Sequence, residues 1–356
     1  MNEVVLILAI VSLGSLTIFL GFLLYGIYSV PSDVAQESLS HEDISVITAV
    51  RNDERIYRLN EAMRQNREVQ WFEWVVVDDG SEIPVSPTEA DVLVRIHYRR
   101  SGRRKKQALR SGIRVSGGTV LAFTDADCVP SDGWLSSITI PIIEGKADLV
   151  YGHSVMKEDT FSSQVAIFDH WINSMLTFGL AGHNLHYNAT GRSMAIRREV
   201  FFRTGEYSSH EEIPSGDDDL LLNEAIKMGY IPMAILNRES VVETDAPKGI
   251  WNLIKQRTRH VQTSFHYPFK VQFLLSLFWT SYFASLILPL LLLVVNWVWG
   301  LILLGIRWLT IAGFMHFSSN KLIYKPTFYI PATDLLLFFV YIMLIFTQAQ
   351  RRPLNE

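Results

Sequence analysis

The chain has a single cysteine, Cys128, so it can form no internal disulfide, and a reducing compartment suits whatever part of it is water-soluble. It also lacks a basic excess. A formal net charge of -4 excludes the broad phosphate-binding face that a nucleic-acid partner needs, and the one local departure is the basic run from Arg99 to Lys106. Charge is missing altogether from Val4 to Tyr28. The preceding Met1, Asn2 and Glu3 carry no basic side chain and the apolar run outlasts the core of a cleaved signal, so this segment is expected to stay as a membrane anchor.

Apolar side chains are in surplus. Hydrophobic residues make up 49% of the 356, enough to fill one core and leave a remainder, and that remainder gathers at the two ends. Beyond Lys270, apolar stretches run from about Val271 to Val295, Trp297 to Phe317 and Tyr329 to Thr347, with Trp and Tyr near several ends as interface anchors. With the N-terminal run they predict four spans. Arg307 is costly at the centre of a bilayer unless paired or snorkelling, which leaves open that its segment lies flat or lines a cavity. Lys321 and Lys325 favour a cytoplasmic middle domain, whereas Arg351 and Arg352 fall on the far side. The expected division is an anchor over 1–30, a water-soluble domain over 31–268 and a membrane region over 269–356.

The middle of the chain alternates. Ile44 to Val50 is a β-branched run, Glu54 to Asn66 a polar helix, Phe72 to Val77 a second buried strand and Val92 to His97 a third. A helix from about Lys105 to Val115 and a strand from Thr119 to Thr124 continue the pattern, which predicts an α/β domain with a largely parallel sheet. In such sheets ligands bind beyond the carboxyl ends of the strands. Those ends are polar here: Arg51, Asn52 and Asp53 after the first, Asp78, Asp79, Gly80 and Ser81 after the second, Asp125 and Asp127 after a later one.

Asp125 and Asp127 flank one alanine, and at strand spacing their side chains project on one side, able to share a hard cation such as magnesium or manganese that would neutralise a departing diphosphate. Asp127 is equally suited to capping the next helix. Asp78 or Asp79 can accept a hydrogen bond from a nucleobase or ribose, or simply build an Asp-Gly turn. Asp217, Asp218 and Asp219 precede a helical run from Leu220 to Met228; they cap its N-terminus, or one of them is a general base toward an acceptor hydroxyl. Arg259, in Gln256 to His260, presents a planar fork suited to diphosphate oxygens, and the same cluster would also meet anionic lipid headgroups. His153, His170, His183 and His186 are scattered and receive no role.

With these motifs in this order, the chain resembles family 2 of the inverting glycosyltransferases, which have the GT-A (Rossmann-like) fold, and especially the membrane-bound members related to cellulose, hyaluronan and poly-N-acetylglucosamine synthases. The resemblance runs from Ile44 to about His260 and extends to the flanking membrane segments. It implies nucleotide-sugar contacts for Asp53, Asp79, Lys105, Asp125, Gln256 and Arg259, and a Mg2+ or Mn2+ site at Asp127 with Asp125. It implies that Asp218 is the catalytic base, with Thr190, Gly191, Arg192, Asp217 and His260 on the acceptor side. Arg104 stands where the family's helix-start motif has glycine, Arg110 where it has asparagine, and His260 where Q-x-x-R-W has tryptophan.

The implied activity is a metal-dependent single transfer, with inversion, from a nucleotide-sugar, a UDP-sugar favoured, to a lipid-linked or lipophilic acceptor. The implied setting is a multi-pass membrane protein whose catalytic domain faces the cytoplasm, in the inner membrane if the source is bacterial. The alternative is a processive polysaccharide synthase, for which an imidazole at position 260 is a smaller platform than an indole. A non-catalytic membrane scaffold is more distant. A nucleotidyltransferase would need a glycine-rich start with a lysine that the chain lacks, and a transporter would need more ionisable residues in its spans than Arg307 and Asp334.

Overall fold

The computed structural model describes residues 2–32, 44–69, 71–96, 104–157, 161–213, 215–324 and 329–350. Arg99, Arg100 and Arg103 of the basic run, with Lys325, Arg351 and Arg352, lie outside them. The chain begins with α1 (Asn2–Ser29), β1 (Ile44–Val50), α2 (Ile56–Val69), β2 (Glu73–Asp78), β3 (Val92–Arg95), α3 (Arg104–Val115) and β4 (Val120–Phe123). It continues through β5 (Cys128–Pro130), α4 (Trp134–Ile143), β6 (Leu149–Tyr151), β7 (Ser154–Lys157), α5 (Phe161–Ala181), β8 (Met194–Arg197) and α6 (Arg198–Arg203). Last come α7 (Asp219–Lys227), β9 (Pro232–Ala234), β10 (Val242–Asp245), α8 (Ile250–Ser264), α9 (Phe269–Val295), α10 (Trp297–Leu322) and α11 (Ile330–Gln350).

Two compact units divide the chain, and neither is one continuous stretch. One comprises Val30–Lys157 and His186–Asp245, the other Met1–Ser29, Glu158–Leu185 and Ala246–Glu356. Residues 158–185 and 246–268 thus group with the apolar helices rather than with the α/β unit.

The α/β unit holds a seven-stranded sheet in the order β3-β2-β1-β4-β8-β6-β9 and a three-stranded sheet β5-β10-β7. β1 is parallel to both β2 and β4, and β2 to β3, as the alternating pattern predicts. β8 departs from it, running antiparallel to β4 and to β6. The central strands are continuous apolar runs buried on both faces, the usual state of parallel strands covered by helices, and Ile44, Val46, Trp74, Val76, Val120 and Ala122 pack with Leu59, Trp134 and Ile138 into one core. Because β2, β1 and β4 are neighbours, their polar carboxyl ends come to one edge.

Helix α3 reaches the sheet through Gly112. A Cβ there would lie 2.8 Å from a Val77 methyl and 2.9 Å from one on Ile47, closer than side chains tolerate. Gly112→Ala is therefore expected to lower stability by about 1–3 kcal/mol through overpacking, despite alanine's better helix propensity. A urea melt of the purified protein checks it, and an unchanged midpoint would show that α3 sits further from the sheet.

In the other unit, Glu3–Ser29 of α1, α9 and α10 are each long and apolar enough to cross a membrane. The apolar part of α11, Ile330–Phe346, is shorter. At 1.5 Å per residue it rises about 26 Å against a hydrocarbon core of about 30 Å. Among the described residues, then, three of the four expected spans reach full length. α1 and α5 meet backbone to backbone: a Cβ on Gly26 would fall 2.0 Å from the Gly179 carbonyl oxygen, and one on Gly182 1.9 Å from that of Gly26.

Arg307 does not snorkel or face a cavity. It is fully buried, as is Asp334 on α11, and the two are joined by two guanidinium hydrogen bonds. Tyr282 Oη donates to Asp334 at 2.5 Å, Trp308 Nε1 at 3.0 Å, and Arg307 Nε reaches Ser285 Oγ at 3.1 Å, so α9, α10 and α11 share one polar cluster. A second network ties α5, α8 and α11: Arg257 pairs with buried Asp169, which also accepts from Tyr341 Oη at 3.0 Å. Arg257 thus serves packing, inside the segment that runs from Gln256 to His260.

Candidate active site

The turn after β2 separates its two carboxylates. Asp78 is spent on the backbone, its Oδ1 accepting from Ser81 N at 2.9 Å and its Oδ2 from Val85 N at 3.3 Å, so the bland turn reading holds for this residue. Asp79, beside it, is also buried. Asn52 stitches the turn to the end of β1: its Oδ1 accepts from Glu82 N at 2.8 Å, and its own N–H donates to Ser81 Oγ at 2.9 Å.

Asp125 and Asp127 lie past the end of their strand, so strand spacing does not govern them. β4 ends at Phe123, so both lie in the turn that follows, and the turn aims them at different partners. Asp125 accepts from Lys105 Nζ at 2.9 Å and lies 3.9 Å from Arg192 Nε. Asp127 faces Arg55 at 3.5 Å and Thr244 Oγ1 at 3.4 Å. Asp127 does not cap α4 either, because Gly133 holds that position and no side chain bonds there.

Lys105 is the hub. Its ammonium bridges Asp125 to Asp217, the latter at 2.6 Å. Burial alone would lower its pKa, but Asp125, Asp217 and Asp218 outweigh burial and hold the ammonium well above its usual range. Asp218 is the N-cap of α7, its Oδ1 accepting from Asp219 N at 2.8 Å, while Oδ2 accepts from Gly191 N at 2.7 Å. The N-cap of α7 is therefore also the candidate base. Burial, then the charges of Asp217 and Asp219, push its pKa up to about 8, against Lys105 and the Gly191 N–H, which pull it down.

Thr190, Gly191 and Arg192 are brought to this cluster through the Gly191–Asp218 bond and the approach of Arg192 to Asp125. Asp53 lies apart from Lys105 in a separate ion-pair group. Arg55 pairs with Asp53 at 2.7 Å and Asp245 at 3.4 Å, and Arg58 holds Asp245 at 2.5 Å. Burial works against it, but the Arg55 hydrogen bonds keep the Asp53 carboxyl below its usual range. Arg55, Arg58 and Asp245 escape sequence reasoning, since Asp245 ends a strand remote in sequence and only the fold returns it to β1. Gln256, Arg259 and His260 belong to α8 in the other unit.

Arg110 keeps to structure, pairing with Glu206 at 2.5 Å and Glu211 at 3.3 Å. Among the histidines, His186 meets Tyr151 Oη at 2.9 Å and burial lowers its pKa to about 4, so it is neutral near pH 7 and suits a packing role.

Among the described residues, no three His, Cys, Asp or Glu side chains converge as a metal cage. The donors present still suit a hard cation. Asp125 and Asp127 offer carboxylate oxygens, and magnesium is ordinarily held by one or two carboxylates with water and phosphate oxygens completing its shell. Burial, and then the charges of Asp127 and Asp125, push the pKa of the neighbouring Cys128 thiol well up.

Residues 45–205 match the family described as glycosyl transferase family 2. Glycosyltransferase AglE of Haloferax volcanii is 27% identical over 194 residues, a match spanning 52% of this chain and 62% of that relative. Among solved structures, the mannosyltransferase PcManGT from Pyrobaculum calidifontis, in complex with GDP-Man and Mn2+, superposes with a TM-score of 0.59 at 17% identity, covering 97% of this chain and 99% of that one. The fold is thus the GT-A fold carried with apolar helices at both ends.

Proposed function

We propose, from the match of residues 45–205 to glycosyl transferase family 2, that the protein is a membrane-bound inverting glycosyltransferase that passes one sugar from a nucleotide-sugar to a lipid-linked or lipophilic acceptor. The observation that carries this reading is the cluster in which Lys105 joins Asp125 to Asp217 and Gly191 holds Asp218. It sets the donor-side carboxylate beside the candidate base. A divalent cation held by Asp127 with Asp125 would supply Lewis-acid neutralisation of the diphosphate.

The protein's own residues do the rest. Asp218 takes the proton of the acceptor hydroxyl as that oxygen attacks the anomeric carbon; the bond to the diphosphate breaks on the opposite face, and the nucleoside diphosphate departs with the electron pair. The Gly191 and Asp219 N–H groups orient the carboxylate, and Lys105 and Arg192 place positive charge beside Asp125. Asp53 and Asp79 are assigned to the nucleoside, Thr190 to the acceptor side. The assignment of Gln256 and Arg259 to the diphosphate rests on the Q-x-x-R match alone. A single transfer is favoured over chain elongation by His260 in the tryptophan position and by only three full-length spans among the described residues. We assign the α/β unit to the cytoplasmic side from the basic residues of the sequence, Lys321 and Lys325 among them.

The test is release of nucleoside diphosphate by the detergent-purified protein with Mn2+ or Mg2+ and a membrane lipid extract. The donor panel carries UDP-sugars and GDP-sugars, the latter because the structural relative holds GDP-Man. Release from one donor, dependent on the lipid extract, is expected; silence across the panel with no donor binding would sink the reading. The pH profile gives a further check. Asp218 acts only when ionised, so kcat/KM is expected to rise with pH and level off above about 8. A profile flat from pH 6 to 9 would assign the proton transfer to another group.

A further inference from the structure

Beside Lys105 and Asp217 lies a pit with room for about one water-sized group. Leu109, Phe123 and Met194, all buried, share its lining with Lys105, Asp125, Asp217 and Thr124. Thr124 is 2% exposed, and its Oγ1 makes no hydrogen bond to any described residue. A buried hydroxyl left unmade is costly, and native folds rarely keep one without a use. The pit lies between the donor-side Asp125 and Asp217, next to the candidate base, which is where a donor's sugar ring has to be for transfer.

Resting on the transferase reading, we propose that this pit receives one hydroxyl or hydroxymethyl group of the donor sugar, hydrogen-bonded to Thr124 Oγ1, and thereby selects an uncharged, unacetylated hexose. Three features lead there. The space admits one small polar group and not an acetamido group. The carboxylates of Asp125 and Asp217 in its lining repel a sugar carboxylate. The nearest cation, Lys105, already serves Asp125 and Asp217, so it is not available to neutralise an acidic sugar.

The experiment measures binding to the full-length protein in detergent, wild type beside Thr124→Val, Thr124→Ser and Met194→Ala. The probes are UDP, GDP, UDP-glucose, GDP-mannose, their monodeoxy analogues and UDP-N-acetylglucosamine. Thr124→Val keeps the shape and removes the hydroxyl. It is expected to weaken the accepted hexose donor roughly 10- to 100-fold, with Thr124→Ser near wild type and the free nucleoside diphosphate unaffected. One monodeoxy analogue is expected to bind wild type and Thr124→Val equally, because the partner hydroxyl is gone from both sides of the contact. Met194→Ala is expected to admit UDP-N-acetylglucosamine at least about tenfold better than wild type. If Thr124→Val weakens the parent donor and every deoxy analogue alike, or changes nothing while the nucleoside diphosphate binds normally, the pit does not read the sugar. If neither nucleoside diphosphate nor any nucleotide-sugar binds wild type, it is the transferase reading that fails.

Discussion

Asp218→Asn is expected to lower turnover by about 10^2–10^4-fold while leaving donor affinity within a few-fold of wild type. The substitution keeps the N-cap acceptor for Asp219 N but turns an amide NH2 toward the Gly191 N–H, so the outline of the cluster is kept while that one hydrogen bond is lost together with the proton-accepting capacity. It also removes a buried ionisable group. The wild-type carboxyl is held protonated in the fold to about pH 8, against about 3.9 in an unfolded chain. Its contribution to stability is therefore fully present below about 3.9 and is lost as pH rises through the folded value near 8. Asparagine does not titrate, so the melting temperature of the variant should fall less between pH 5 and 9 than that of wild type. Single-turnover kinetics and melts across that range check both halves. Normal turnover in the variant would move the base to Asp217 or Asp219.

The largest effect on stability is expected in the unit of long apolar helices. Asp334→Ala leaves the Arg307 guanidinium fully buried with its carboxylate partner gone, and breaking a buried pair in this way costs about 3–5 kcal/mol. Hydrocarbon around these helices would deepen the penalty, since water would not be at hand to replace the lost acceptor. Replacing both residues, as Arg307→Met with Asp334→Leu, removes the charge and the need for it together, so the double variant should recover most of the loss. Tyr282 and Trp308 then lose an acceptor each, which limits the recovery. Unfolding in detergent micelles, followed by tryptophan fluorescence, measures the cycle. A single variant as stable as wild type would show that Arg307 finds water or a headgroup instead.

Much of the framework was legible because it depends on local periodicity. β-branched runs marked β1 and β2 within a residue of their observed bounds, since a buried parallel strand needs apolar side chains on both faces, and the apolar ends marked α1, α9 and α10 by length alone. The polar strand ends were legible for the same reason, and the order of the neighbouring strands gathers them. What a side chain does once there was not legible. Asp78 and Asp79 are adjacent, yet the first closes the turn; Asp125 and Asp127 are one residue apart, yet face Lys105 and Arg55.

By itself, then, the sequence determined the alternating α/β order, the apolar helices and the acidic residues at the strand ends, because each is written in the spacing of neighbouring residues. Only the tertiary structure decided that Arg307 meets Asp334, that Arg257 is spent on Asp169, that Gly191 holds Asp218, and that Thr124 keeps a buried hydroxyl without a partner among the described residues. Those pairings join residues far apart in the chain. No local rule encodes them, because the energy of a buried charge or hydroxyl depends on what the whole fold packs around it.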